Sequence, residues 1–454
     1  MSTILFRNRA IKLSLWATVA GGSSLLTNHN DRSNRLTMPT PLKSLARIKR
    51  ALPKIISTFG TPFYIYDQQG ILKRGDELKR AMYGVEGYRQ YYAVKAWNNP
   101  ANLRLQQSMG FGFDCSSPYE MDLVDDLGGR REFILTSNNS RPEWFDQCNS
   151  LGGILNLDDV SLIKKVREFP KLICFRLNPG KRKTGNSIIG NPVEAKYGIM
   201  WEQLVPAYRE AMKRGATYFC LHTMVCSNCL DENYLVDTVK MLLDAIEEVE
   251  LKLGIKFDFI NMGGGFGIPY KPTDKPLNIN RIGERIAELM DGYRRKHGYT
   301  PKLFTEMGRW MTGPFGVLVT RVINRKEIYQ THVGVDVGMN GLMRHGIYGA
   351  YHHIEVVGGS RRKTEVVNVV GQICENCDRL ATQRCLPVTR EGDTMLVQDV
   401  GAHGIVMVFR YNGTTAPAEF MLREDGMAEM IRRAETYTDL DATLRYQDLN
   451  IQAF

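Results

Sequence analysis

The sequence predicts an α/β fold, a (β/α)8 barrel with a second, C-terminal β-sandwich domain that an N-terminal strand completes. Three observations predict it. From residue 46 onward, short β-branched and aromatic runs alternate with helix-patterned segments; after Gly313 the helical patterns thin out and strands follow one another through turns; and an aromatic strand at 62–67 opens the alternating region. Strand then helix, repeated over about 240 residues, is the mark of a parallel sheet, and eight such units close a barrel.

The first 37 residues stand apart. Residues 1–30 contain no acid, carry Arg7, Arg9 and Lys12, and hold a modest apolar stretch at 13–26 broken by Gly21, Gly22, Ser23 and Ser24. That stretch is too short and too interrupted to span a bilayer. It reads as a transit peptide, as a weak secretory signal, or as a leader before a true start at Met38. The last is preferred, with residues 1–37 outside the fold and the protein cytoplasmic; a transit peptide would make it organellar.

The alternating region begins with the strand at 62–67, Pro-Phe-Tyr-Ile-Tyr-Asp, and continues with strands expected at 90–96, 133–136, 153–157, 172–178, 218–225, 257–262 and 302–306. Between them lie helices such as 236–253, whose apolar positions recur at three and four residues. Strands at 317–323, 355–357, 365–370, 394–400 and 418–422 build the β-domain, which the strand at 63–66 joins. The expected division is a barrel over 85–315 and a β-domain from 45–84 plus 316–454.

A chain of 454 residues with 43% apolar content buries a large core. Its net charge of +10 arises from 59 basic against 49 acidic residues, but the positives are interspersed with acids, as in Glu77-Leu78-Lys79-Arg80. This is a solvated surface that favours anionic ligands, not a nucleic-acid footprint. Nine cysteines, an odd number over a long chain, indicate a reducing compartment. Two C-x-x-C spacings occur, Cys226/Cys229 and Cys374/Cys377, yet they lie too far apart for a zinc ribbon and lack its glycine knuckles, so no metal is expected.

Three pieces of chemistry occur in a telling order. Lys95 ends the strand-like run Tyr91-Tyr92-Ala93-Val94, where a lysine can form a Schiff base. Gly263, Gly264 and Gly265 follow the apolar run 257–262 and offer backbone N–H groups with no Cβ in the way of a phosphate. Glu306, in Thr305-Glu306-Met307-Gly308-Arg309, can hold a ring nitrogen protonated. Together they describe a pocket for pyridoxal 5'-phosphate. Each has a plainer reading alone: a surface lysine, a tight turn, a surface glutamate.

With Cys374-Glu375-Asn376-Cys377-Asp378 added, the order and spacing resemble the fold-type III pyridoxal-phosphate-dependent decarboxylases, the ornithine, diaminopimelate and arginine decarboxylase group, and most of all its diaminopimelate branch. The resemblance spans roughly residues 61–439. It implies the barrel and β-sandwich, a homodimer with shared active sites, an amino-acid substrate, and conversion of meso-2,6-diaminopimelate to L-lysine and CO2 as the last step of lysine biosynthesis. Decarboxylation of ornithine, lysine, arginine or a carboxylated polyamine, or a non-catalytic cofactor carrier, are the alternatives.

The resemblance implies roles for particular residues. Lys95, Glu306 and Cys374 are catalytic, Cys374 as proton donor to the substrate α-carbon in the partner's site, with a buried structural thiol as its plainer reading. Asp114, His222, Ser227, the three glycines, Arg309 and His403 hold the cofactor. Arg309, Arg344, Tyr348 and Glu375 meet substrate, Arg344 and Tyr348 at its distal end. An arginine fork suits a carboxylate, and ornithine and lysine have no distal carboxylate to offer it. Asp114, Ser117 and Glu120 match Asp-x-x-Ser-Gly-Gly-Glu and are expected to support the site from a loop.

The departures concern packing. Where the family reads His-x-His-Ile-Gly-Ser, this chain has His222-Thr223-Met224-Val225-Cys226-Ser227, so a methionine replaces the histidine stacked on the cofactor ring. Gly-Ala-Tyr-Gly becomes Gly401-Ala402-His403-Gly404, where a protonated imidazole is expected to donate to phosphate, and Asn376 and Cys377 replace a serine and a glycine. The groups that do the chemistry are all present, which points to an active enzyme.

Overall fold

The computed structural model describes residues 40–444 except 186, 187 and 189. The leader and the start expected at Met38 lie outside the described residues. The helix Leu42–Phe59 buries Leu45, Ile48, Leu52 and Ile55, spaced at three and four residues. Its apolar stripe packs on strand β1 (Phe63–Asp67), every residue of which is buried.

Eight parallel strands then close a barrel: β2 (Arg89–Ala93), β3 (Gly112–Cys115), β4 (Phe133–Ser137), β5 (Ile154–Leu157), β6 (Leu172–Leu177), β7 (Tyr218–Thr223), β8 (Phe257–Asn261) and β9 (Lys302–Thr305), with β9 pairing back to β2. β3 lies where the sequence suggested a loop. It is short, starts at a glycine and buries Asp114 completely, so its apolar pattern is interrupted by a functional residue.

The barrel interior changes character along the strands. Tyr91, Ile134, Cys174, Cys220, Phe259 and Phe304 form an apolar plug. Two residues further along each strand the side chain again points inward, and the layer becomes polar: Thr136, Arg176, His222, Asn261 and Glu306, all buried, follow Ile134, Cys174, Cys220, Phe259 and Phe304. The C-terminal mouth is therefore charged and the other end sealed.

The chain then crosses into a nine-stranded sheet: β10 (Gly316–Glu327), β11 (Thr331–Val335), β12 (Ile354–Val356), β13 (Thr364–Val370), β14 (Arg379–Pro387), β15 (Thr394–Val397), β16 (Ala418–Leu422), β17 (Ala428–Arg432) and β1. β1 lies between β10, antiparallel, and β16, parallel, so the N-terminal strand completes the C-terminal sheet. Glu419 of β16, fully buried, accepts hydrogen bonds from Tyr66 Oη at 3.1 Å, Trp97 Nε1 at 2.6 Å, Asn99 Nδ2 at 3.0 Å and Arg432 Nε at 2.5 Å. This fixes the segment just after Lys95 to the β-domain. Among the described residues no helix is long and apolar enough to cross a membrane.

Candidate active site

Lys95 sits in a single 3-10 turn, Val94–Ala96, at the C-terminal end of β2. Its ammonium donates to Asp114 Oδ2 from the neighbouring strand β3, and 45% of its side chain remains accessible, facing a cavity. Enclosure by protein presses its pKa down, but the carboxylates of Asp114 and Glu306 more than reverse this and leave it raised. Asp114 is raised as well, by burial first and then by the charge of Glu306, with Lys95 acting against both.

Glu306 follows β9. Its Oε1 accepts from Asn261 Nδ2 at 2.7 Å and its Oε2 lies 3.1 Å from His222 Nε2. Burial pushes the carboxyl up, yet His222, Lys95 and Asn261 together hold it at about 2, so it is an anion at neutral pH. His222 Nδ1 has no hydrogen-bond partner among the described residues.

The glycine loop lies beside this pair. Gly263 and Gly265 have φ of 69° and 96°, a left-handed conformation that only glycine adopts without strain. A Cβ on Gly264 would stand 2.6 Å from Glu306 O, and one on Gly265 2.8 Å from Cys226 O. Met224 Sδ accepts weakly from Gly264 N–H at 3.2 Å.

Arginines supply the rest. Arg309 donates from Nη2 to Ser227 Oγ at 3.3 Å and from Nη1 to Tyr270 Oη at 2.6 Å, while its Nε has no partner among the described residues. Arg344 donates from Nη1 to the same Tyr270 oxygen at 2.9 Å and to His352 Nε2 at 2.9 Å. Since His352 Nε2 accepts, Nδ1 carries the proton and donates to Gln398 O at 2.9 Å. Burial first, then Arg344, keeps that ring neutral. Both arginines are buried, and among the described residues neither forms an ion pair with a carboxylate.

Two adjoining cavities of about 180 and 370 Å³ share Lys95, Met224, Gly264 and Glu306. The first is also lined by Ser227, Gly265, Arg309, Arg344, Tyr348 and His403, the second by His222 and Arg176. Sequence reasoning missed Asn261, Tyr270 and His352. Asn261 was readable as a polar residue ending an apolar strand just before the glycines; Tyr270 and His352 carried no local signal.

Several expected residues sit differently. Ser117 caps the helix Pro118–Asp126, accepting from Glu120 N–H, and Pro118 occupies its first turn, which accounts for the missing glycines. His403 lines the cavity with φ of 54°, but burial, then Arg309 and Arg344, hold its pKa far down, so it is neutral; the cationic ring expected from sequence is corrected to one with a single N–H to give. Cys374 and Glu375 are exposed on the turn between β13 and β14 and do not line either cavity.

The arrangement fits pyridoxal phosphate. A backbone cradle that a Cβ would fill, two buried arginines that among the described residues form no ion pair with a carboxylate, an anionic glutamate and an accessible lysine converge on one space. The family model described as the pyridoxal binding domain of pyridoxal-dependent decarboxylases matches residues 70–313. The chain is similar to Protein TabA of Pseudomonas amygdali pv. tabaci, with 38% identity over 91% of this chain and 98% of that one. It is also similar to diaminopimelate decarboxylase of Methanothermobacter thermautotrophicus, with 33% identity over 85% and 92%. Diaminopimelate decarboxylase from m. jannaschii in co-complex with L-lysine superposes with a TM-score of 0.81 at 27% identity, covering 87% of this chain and 94% of that one. The chain therefore belongs to the pyridoxal-dependent decarboxylases, with pyridoxal 5'-phosphate as its cofactor.

Proposed function

We propose that the enzyme converts meso-2,6-diaminopimelate to L-lysine and CO2, as a cytoplasmic homodimer with shared active sites. The observation that carries this is the pair Arg309 and Arg344, buried beside Lys95 and Glu306 and meeting on Tyr270 without a carboxylate of their own. One positive charge answers the cofactor phosphate and the other is left for a carboxylate on the substrate. A diamino acid with a second, distal carboxylate matches; ornithine and lysine do not.

The residues divide the work. Lys95 is the residue that would hold the cofactor covalently, and Asp114, hydrogen-bonded to its side-chain nitrogen, orients it. Gly265, Ser227 and His403 would present N–H and hydroxyl groups to the phosphate, which the absence of a Cβ on Gly264 lets approach. Glu306, kept ionised by His222 and Asn261, would keep the ring nitrogen of the cofactor protonated. The bound cofactor supplies an acceptor for the electron pair left on the α-carbon when CO2 departs. Arg344 and Tyr348 face the distal end of the substrate. Cys374 and Glu375 serve the partner subunit's site, where the Cys374 thiol delivers the proton to the α-carbon and Glu375 meets the distal ammonium.

The test is CO2 release by the cofactor-loaded protein from meso-diaminopimelate, ornithine, lysine and arginine in parallel. Release from diaminopimelate alone, with lysine as product, is expected. Met224 and the neutral His403 favour a second reading, a shifted substrate angle and another amino acid; preference for one of the other three would establish it. No release by a cofactor-bound protein would favour a non-catalytic carrier.

A further inference from the structure

The segment 226–229 bears two cysteines that the reaction does not use. It joins the end of β7 to the helix Glu232–Leu253 and is clamped to the glycine loop: Cys229 N–H donates to Gly265 O at 2.7 Å, and Gly267 N–H donates to Cys229 O at 2.9 Å. Asn228, with φ of 56°, turns the chain back, and its side chain accepts from Ile268 N–H at 2.9 Å. The Cys226 sulfur packs 3.3 Å from where a Cβ of Gly265 would stand. Between the two cysteines, Ser227 and Asn228 line the cofactor cavity.

We infer that Cys226 and Cys229 are a redox modification site, a dithiol that small-molecule disulfides oxidise to an internal bridge, and that closing the bridge loosens the hold on pyridoxal phosphate. The second half rests on the reading that Ser227 and the glycine loop face the phosphate.

The two thiols differ in the way such a pair requires. Cys226 is 6% exposed and Cys229 is more open. The neighbouring Cys226 thiol first, then the Asp231 backbone and Lys183, lower the Cys229 thiol to about 7 against burial and the Asp231 carboxylate, while Cys229 and burial raise Cys226. Cys229 is the attacking thiolate and Cys226 the resolving thiol. Cys229 attacks one sulfur of the small disulfide and expels a thiolate, leaving a mixed disulfide. The Cys226 thiol gives up its proton and attacks Cys229 sulfur, expelling the second thiolate. Two protein thiols are oxidised and one disulfide is reduced to two thiols.

The bridge needs the sulfurs at about 2.05 Å, well inside hydrogen-bonding range. Cys229 is held by its backbone on both sides, so the movement falls on Cys226, Ser227 and Asn228. That disturbs the Ser227 hydroxyl which Arg309 reaches and the sulfur seated on Gly265. Loss of one such hydrogen bond weakens binding by about tenfold.

The wild-type protein is equilibrated in mixtures of oxidised and reduced glutathione, alkylated and digested, and cofactor affinity is read in parallel from absorbance. A linked 226/229 peptide, a dissociation constant about tenfold higher that reverses on reduction, and insensitivity of Cys229→Ser are expected. Free alkylation of both cysteines across the whole range, or a bridge with unchanged cofactor affinity, overturns the proposal. Failure of the reduced protein to bind cofactor overturns the cavity reading along with the affinity claim, and the cofactor-independent peptide map distinguishes that case.

Discussion

Glu306→Gln removes one negative charge from the cavity and keeps the shape of the side chain. Glu306 is 5% exposed, so solvent screens little of its interaction with its neighbours. Its pKa falls from 4.5 to about 2 even though burial acts in the other direction. At 1.36 kcal/mol per unit, the surroundings favour the anion over the acid by about 3 kcal/mol. The amide forfeits that preference and cannot keep the ring nitrogen protonated, so kcat is expected to fall between about tenfold and a few hundredfold, with KM within threefold. Lys95 loses one of the three carboxylates that offset its enclosure, so its reactivity toward an amine reagent in the cofactor-free protein shifts to lower pH. The acid limb of stability changes in a defined sense. A depressed carboxylate contributes fully above its unfolded pKa of about 4.3 and loses that contribution as pH falls toward 2; the variant has a flatter acid limb there. A kcat within threefold of wild type together with an unmoved lysine titration would refute the placement of Glu306 at the centre of this charge network.

Lys95→Ala should abolish both turnover and the lysine-linked absorbance of the cofactor, and retained turnover would remove its role as anchor. Arg344→Ala should reduce kcat/KM for diaminopimelate by about tenfold or more, with a smaller effect on any residual activity toward lysine or ornithine; equal losses would show that it does not read a distal carboxylate. Cys374→Ala should leave the cofactor spectrum unchanged and slow turnover; the exposure of Cys374 already excludes a buried structural thiol, and an unchanged rate would remove its role as proton donor. Gly265→Ala, at φ of 96° with a Cβ 2.8 Å from Cys226 O, should cost about 1–3 kcal/mol of stability and weaken cofactor binding, read by thermal melting with and without cofactor; an unchanged melt would mean that the loop relaxes freely.

The alternation of strands and helices was legible because barrel strands buried on both faces are apolar runs bounded by turns. β3 was not, because Asp114 and Gly112 interrupt such a run in four residues. In the β-domain the sequence reading found β10 only as far as residue 323 and missed β11, β14 and β17. Charged or polar residues interrupt their apolar pattern, as in Arg325, Lys326 and Glu327 at the end of β10, and their pairing is set by distant partners, β11 with β10 and β13. At the site, residues fixed by local motifs were visible: Lys95, the glycines, Glu306, Arg309. Tyr270 and His352 were not, since each matters through contact with an arginine 39 or more positions away, or eight in the case of His352 with Arg344, and no local pattern encodes those contacts.

The substitutions at 224, 226 and 403 have one property in common, which bears on why the site tolerates them. None changes the charge of the cavity. Met224 is neutral and satisfies Gly264 N–H through sulfur, Cys226 sits above Gly265 protonated, and His403 is held neutral by burial and the arginines. The charged groups, by contrast, depend on one another: Lys95 is raised by Asp114 and Glu306, and Glu306 is lowered by His222 and Lys95. Removing any one of them shifts the protonation of the others, whereas replacing a neutral neighbour alters only packing and, at 226, adds a thiol. Packing around the ring can therefore diverge while the charge network stays fixed, and substrate preference is the property free to change with it. Met224→His tests this: a stacking ring that brings no full charge should change relative kcat/KM among amino acids more than it changes the Glu306-dependent acid limb, and a shift of that limb as large as the one from Glu306→Gln would show that residue 224 belongs to the network after all.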